Sequence, residues 1–179
     1  MLKISLPERE FYNEETEEFF TVKACTFTLE HSLVSISKWE SKWKKPYISD
    51  KNKTDEEFRD YIRCMCTTQN VDPEVFNNLP YETQKQIIDY INDPMTATWF
   101  SSKEEKKSGE VVTSELIYYW MTALNIPMEC QKWHLNRLLT LIRIAGEKNQ
   151  PPKKMNKNDI LKQNRALNAR RKAKYKTRG

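Results

Sequence analysis

The chain has 179 residues with 30 Lys or Arg, 25 Asp or Glu and a formal net charge of +5, the size of one domain with an appendage. Apolar residues make up 38% and aromatics 11%, enough for a packed core, which excludes full disorder. No apolar run approaches the roughly 18 residues of a membrane span, and with only 3 glycines the chain lacks the means for phosphate-cradling loops or Rossmann turns.

The net charge averages two opposites. From Pro151 to Gly179 there are eleven bases (Lys153, Lys154, Lys157, Lys162, Arg165, Arg170, Arg171, Lys172, Lys174, Lys176, Arg178) against one acid, Asp159, a net of +10. The other 150 residues hold nineteen bases and twenty-four acids, a net of −5. An acidic body carries a basic tail.

In chain order, Met1–Pro7 has no apolar signal region and is not expected to be a secretory leader. Leu2, Ile4 and Leu6 alternate as a strand does, Phe19–Val22 is β-prone, and Cys25–Leu29 alternates again. The short break at Lys23-Ala24 suggests a hairpin between Phe19–Val22 and Cys25–Glu30, with Asn13-Glu14-Glu15-Thr16 as a polar turn. Residues 1–31 are thus expected to form a small sheet of two or three strands. Ser32 reads as an N-cap, followed by a helical stripe of Leu33, Ile36, Trp39 and Trp43 that stops before Pro46. Residues 46–53 read as a polar loop.

Thr54-x-x-Glu57 is a capping box, and Phe58, Tyr61, Ile62 and Met65 give the following helix its apolar face. Asp72-Pro73 opens a short helix. Pro80 opens another, with Ile87, Ile88 and Ile91 as its stripe, ending near Asn92-Asp93-Pro94. Met95–Phe100 reads as extended or as a helix end, and Ser101–Glu110 as a charged, mobile loop. Glu115–Met121, after Thr113-Ser114, is apolar nearly all round and predicts a central buried helix. Met128–Ala145 predicts one helix of four to five turns that stops near Gly146 as a C′ glycine, antiparallel to its predecessor across Asn125-Ile126-Pro127. Leu33, Ile36, Trp39, Phe58, Ile62, Leu116, Trp120, Leu135, Leu138 and Ile142 are expected to share one core.

Gln150-Pro151-Pro152 separates the body, 1–150, from an arm, 151–179. Asn156 and Asp159 open a helix from Lys157 to about Ala173 whose apolar anchors are Ile160, Leu161 and Leu167. Such a helix is marginal alone and orders on a partner. The fold class is α+β and predominantly α: a small β-hairpin or sheet over 1–31, packed on a helical bundle over 32–150, with a C-terminal basic helical arm.

Little in this pattern points to chemistry. Cys25, Cys64, Cys66 and Cys130 read as reduced, buried thiols. Cys64-x-Cys66 and Cys130-x-x-x-His134 do not match a structural zinc spacing, so neither a metal nor a cofactor is expected. His31 is placed where a strand gives way to a helix and His134 beside Trp133, with no nucleophile elbow for either to serve. Glu14-Glu15, Glu56-Glu57 and Glu104-Glu105 read as solvated, and a non-enzymatic protein is expected.

Binding residues are easier to nominate. The arm offers Lys153, Lys154, Lys157, Ile160, Leu161, Lys162, Arg165, Leu167, Arg170, Arg171 and Lys172. An acidic protein surface suits it better than nucleic acid, because Tyr175 is its only aromatic for stacking. Three aliphatic anchors are few for a membrane surface, and no membrane partner is expected. Trp39 and Trp43, two indoles on one helix face, could line a groove for a partner helix, although aromatics in so small a body mostly fill the core.

The stretches Leu29-Glu30-His31-Ser32-Leu33, Ser37-Lys38-Trp39-Glu40-Ser41-Lys42-Trp43, Glu115-Leu116-Ile117-Tyr118-Tyr119-Trp120-Met121 and Trp133 through Ile142 resemble proteins encoded among the tail genes of long-tailed bacteriophages, described as tail assembly chaperones. The resemblance extends to Pro151-Pro152-Lys153-Lys154-Met155 and to Arg165-Ala166-Leu167-Asn168. It is a pattern of whole-chain wording, not a catalytic signature, and transfers no active site. Multiple copies would coat the tape-measure protein in the host cytoplasm while the tail tube assembles. It leaves open a structural virion component whose arm reaches neighbouring tail subunits. The nucleic-acid reading of the tail stands beside both.

Overall fold

The structure is a computed structural model and describes residues 1–13, 17–100, 110–149 and 156–175. The fold is α+β and mostly helical. The chain divides into two compact units, Met1–Lys148 and Asn149–Gly179.

The first unit opens with four five-residue strands: β1 (Leu2–Leu6), β2 (Arg9–Asn13), β3 (Glu18–Val22) and β4 (Cys25–Leu29). β1 pairs antiparallel with β4 and β2 with β3. Leu2 faces Leu29, Leu6 faces Cys25, Arg9 faces Val22 and Asn13 faces Glu18. One register therefore runs through both ladders, and they are two halves of a single long ribbon. The ladder breaks where Pro7-Glu8 passes Lys23-Ala24, because proline has no N–H to donate. The packed side switches at that break. Ile4, Phe27 and Leu29 are buried in the inner half, while Val22, with Phe11 and Phe20 at 5.7 Å between ring centroids, packs inward in the outer half. Two-stranded ribbons twist strongly enough for this.

The expected hairpin between Phe19–Val22 and Cys25–Glu30 does not form. Those segments are successive stretches of one edge of the ribbon. Lys23-Ala24 has neither the Gly nor the Asn that a two-residue turn requires. The expected turn Asn13–Thr16 lies largely outside the described residues; next to it, Glu17 takes a left-handed φ of 56°. The other side of β4 meets the end of the second helix: Leu29 bridges Cys66, Glu30 N–H donates to Met65 O at 2.8 Å, and Thr67 N–H donates to Thr28 O at 2.9 Å.

Helix α1 (Leu33–Trp43) begins where Ser32 N–H donates to Ser35 Oγ at 3.1 Å, and it closes at Lys44, in left-handed conformation ahead of Pro46. Helix α2 (Asp55–Met65) has the capping box, with Glu57 N–H donating to Thr54 Oγ1 at 3.2 Å and Thr54 N–H to Glu57 Oε2 at 2.8 Å. The two helices pack together, and Trp39 Nε1 donates to Glu57 O across the contact at 2.8 Å. Lys45 pairs with the buried Glu57 carboxylate, and this bond, with that from Thr54, holds the carboxyl below its usual range.

The loop over 46–53 is not wholly polar. Tyr47 is buried, stacks on Tyr61 at 3.9 Å and meets Trp39 edge-on at 5.2 Å. It is drawn in because the buried Glu40 carboxylate accepts Tyr47 N–H at 2.8 Å and Ser114 N–H at 2.7 Å. One side chain of α1 thus anchors two distant backbone segments.

Helix α3 (Pro73–Asn77) has the expected Asp72 cap, which accepts Glu74 N–H at 3.0 Å. In α4 (Tyr81–Asn92) the inward stripe is Ile87, Tyr90 and Ile91, whereas Ile88 is exposed. Residues 95–100 form neither helix nor strand, and 101–109 of the expected charged loop lie outside the described residues.

Helix α5 (Ser114–Ala123) is not central. It buries Ser114, Ile117 and Met121, leaves Tyr119 exposed and holds Leu116 and Trp120 half-buried. Tyr and Trp read as apolar in the sequence but are amphipathic, so a helix rich in them can lie at the surface. Of the ten expected core residues, Phe58, Leu116 and Trp120 are only partly covered; the other seven are buried in one cluster.

The single helix expected over Met128–Ala145 is split into a 3-10 turn (Met128–Lys132) and α6 (Leu135–Asn149). The chain is held extended between them because His134 bridges Ser32 and Leu135 N–H donates to His31 O at 2.9 Å. Gly146 is not a C′ residue: α6 runs through it, and no glycine among the described residues has positive φ. A Cβ there would meet nothing within 4 Å, so Gly146→Ala is expected to stabilise the body by about 0.5–1 kcal/mol through helix propensity. A higher urea midpoint at unchanged slope would register it.

Candidate binding arm

The second unit contains α7 (Lys157–Tyr175), nineteen residues long. Its composition explains the helix, since Leu, Lys, Arg, Gln and Ala lose little on entering one. Asn156 O accepts from Asp159 and Ile160 N–H at 2.9 and 3.1 Å, and Asp159 in the first turn and Lys172 and Lys174 in the last suit the helix dipole. Every residue of α7 is exposed.

The structure therefore places Lys157, Ile160, Leu161, Lys162, Arg165, Leu167, Arg170, Arg171 and Lys172 on one helix. Lys153 and Lys154 lie outside the described residues. At about 100° per residue, Ile160, Leu167, Arg171 and Lys174 fall within about 60° of one another, and Leu161 lies about 100° from Ile160. The remaining bases are spread round the helix. α7 thus has one narrow mixed edge, two aliphatic side chains followed by two cations, on a cylinder positive on every side.

The expected groove of Trp39 and Trp43 is not there. Trp39 is 0% exposed and lies between α1 and α2, so it lines no open surface. Trp43 is half-buried, stacked 6.2 Å from Trp39, and donates from Nε1 to Asp60 at 2.8 Å. Lys42 reaches the same carboxylate at 2.5 Å.

One polar cluster was not legible in the sequence. His31 Nδ1 lies 2.5 Å from Tyr61 Oη, and the His31 and His134 rings meet edge-on at 4.9 Å. His134 in turn lies edge-on to Tyr90 at 5.0 Å, and its Nε2–H donates to Tyr90 O at 2.9 Å. Burial, and then the neighbouring His134, push His31 down to about 3; burial also lowers His134. Both rings are held neutral. His31 is 2% exposed, and the cluster joins the β4–α1 junction to the start of α6. No spacing in the sequence marks a contact between residues 31 and 134.

The thiols are less buried than expected. Only Cys130 is buried, and Cys25, Cys64 and Cys66 are intermediate. Cys64 and Cys66 border a cleft of about 540 Å³ with Lys38 and Lys132. Burial and then Asp60 push Cys64 up to about 11, so its thiol stays protonated near neutral pH and is a weak nucleophile. Among the described residues no three His, Cys, Asp or Glu side chains group to hold a metal ion, and no helix is long and apolar enough to cross a membrane. No family model, curated protein or solved structure matches the chain.

Proposed function

We propose that this chain is a non-enzymatic protein of phage tail morphogenesis, an assembly chaperone that works in multiple copies on the tape-measure protein in the host cytoplasm and makes its contacts through the basic arm. The observation that carries the reading is α7: nineteen residues of helix, exposed throughout, with seven bases against one acid. A helix so polar gains little from its own packing. Its order and charge are best used on an acidic partner, and ordering on contact tempers the affinity. The resemblance to tail assembly chaperones supplies the biological setting. A structural virion component using the same arm on neighbouring subunits is the alternative within that setting.

The spread of bases round α7 favours a second reading, nucleic acid, because a cation on every side suits a polyanion. Deleting residues 151–179 is expected to leave the cooperative unfolding of the body intact while abolishing tail assembly and binding to the tape-measure protein. Assembly that survives the deletion would remove the arm from the function. Tighter binding to random duplex DNA than to tail proteins at physiological salt, weakening log-linearly as salt rises, would favour the nucleic-acid reading.

A further inference from the structure

We propose that the outer face of the β2–β3 hairpin receives the basic arm of a second copy of this chain. The inference rests on the reading of the arm as the binding element and names the surface it meets.

The hairpin has a packed face and an open one. Phe11, Phe20 and Val22 point into the body. On the opposite face Tyr12 and Phe19 are 50% and 74% exposed, paired at 5.0 Å between ring centroids. Glu10 and Thr21 share that face and are exposed. An aromatic pair uncovered at the end of a ribbon is a surface that binding would cover.

Charge selects the occupant. Residues 8–23 hold six acids (Glu8, Glu10, Glu14, Glu15, Glu17, Glu18) against Arg9 and Lys23, a net of −4 within a body of −5. The arm, at +10, is the one strongly basic segment of the chain. The mixed edge of α7 suits the open face in kind, two rings beside one carboxylate. Ile160 and Leu167 supply aliphatic surface for the aromatic pair. Arg171 and Lys174 supply cations for the ring faces and for the Glu10 carboxylate. The edge from Ile160 to Lys174 is about 21 Å long, close to the roughly 17 Å of a five-residue strand. Each copy carries both halves of this contact. Made between copies, the contact is head-to-tail, and where it does not close on itself it repeats, the arrangement a row of copies along a long partner requires.

The test uses the full chain and two variants altered only at exposed positions: Tyr12→Ser with Phe19→Ser in the hairpin, and Arg171→Glu with Lys174→Glu in the arm. Far-UV circular dichroism checks that both fold. Sedimentation of the unaltered chain from about 1 to 100 μM is expected to show association that weakens as salt rises from about 50 to 500 mM. Each variant alone is expected to associate about tenfold more weakly. Mixed, they are expected to form a one-to-one dimer and nothing larger, because one supplies the intact arm and the other the intact hairpin. An unaltered chain that stays monomeric throughout overturns the proposal. So does a monomer whose Stokes radius grows on hairpin substitution, which would place the arm on its own body, and so does undiminished association of either variant. Binding to poly-glutamate separates the two claims. If the chain is monomeric yet binds this probe, and the arm variant does not, the copy-to-copy contact falls while the arm reading stands. If the arm variant binds the probe as well as the unaltered chain, the arm reading itself falls.

Discussion

Acidification from about pH 6.5 to about pH 3 is expected to remove on the order of 4–5 kcal/mol of stability from the body through His31 alone. In the folded chain burial and the adjacent His134 hold His31 at about 3, against an ordinary 6.5. Between those values the unfolded chain binds a proton that the folded chain refuses. Stability is therefore full above about 6.5 and falls as the pH drops toward 3. His134 is shifted in the same direction and adds to the loss. Denaturant midpoints measured across this range at constant ionic strength should fall steadily. His31→Gln should start lower, having lost the contact with Tyr61, and show a flatter slope. A flat profile in the unaltered chain between about pH 6.5 and 4.5 would contradict the buried placement of this ring.

Trp39→Ala is expected to cost about 3–5 kcal/mol, the range for removing a large aromatic from a core. Trp39 is fully buried, meets Trp43 and Tyr47, and donates to Glu57 O. Its removal opens a cavity between α1 and α2 and takes away the indole bond to Glu57 O, which lies within helix α2. Trp39→Phe keeps most of the volume but loses that donor, and should cost less, about 1–3 kcal/mol. Trp120→Ala is the contrast. Both tryptophans sit in apolar helical patterns, but Trp120 is half-buried and should cost clearly less than Trp39. Equal losses at the two sites, read from chemical denaturation, would refute the burial pattern.

That pair also shows what periodicity conveys and what it omits. The 3-3-4 spacing of Leu33, Ile36, Trp39 and Trp43 and the box Thr54-x-x-Glu57 mark two helices by local physics alone, and α1 and α2 form where those signals lie. The face of α5 escapes periodicity because Tyr118, Tyr119 and Trp120 count as apolar in any pattern although their polar ends tolerate water. The split between the 3-10 turn and α6 was hidden because it depends on bonds from His134 and Leu135 to residues about a hundred positions earlier. Strand pairing failed for a related reason. Alternation at Leu2–Leu6 and Cys25–Leu29 identifies strands but not partners, and Arg9–Asn13, with Phe11 and Tyr12 adjacent, shows no alternation. In the arm, the bases were legible as composition. The grouping of Ile160, Leu167, Arg171 and Lys174 on one edge follows once the helix is known to run past Ala173. The open aromatic face of β2–β3 required the register itself.

The break at Pro7 has a bearing on solubility. Strand edges without partners recruit strands from other chains, and long flat edges do so most readily. Had the ladder been unbroken, Leu2–Asn13 would offer one continuous twelve-residue edge. Proline interrupts that template, since a foreign strand zipping along β2 from Asn13 meets a residue with no N–H after six positions, and the switch of packed face beyond it turns the next stretch away. Charges at Arg9 and Glu10, exposed on the same short strand, further disfavour an apolar intruder. The crease thus acts as a gatekeeper against cross-β stacking.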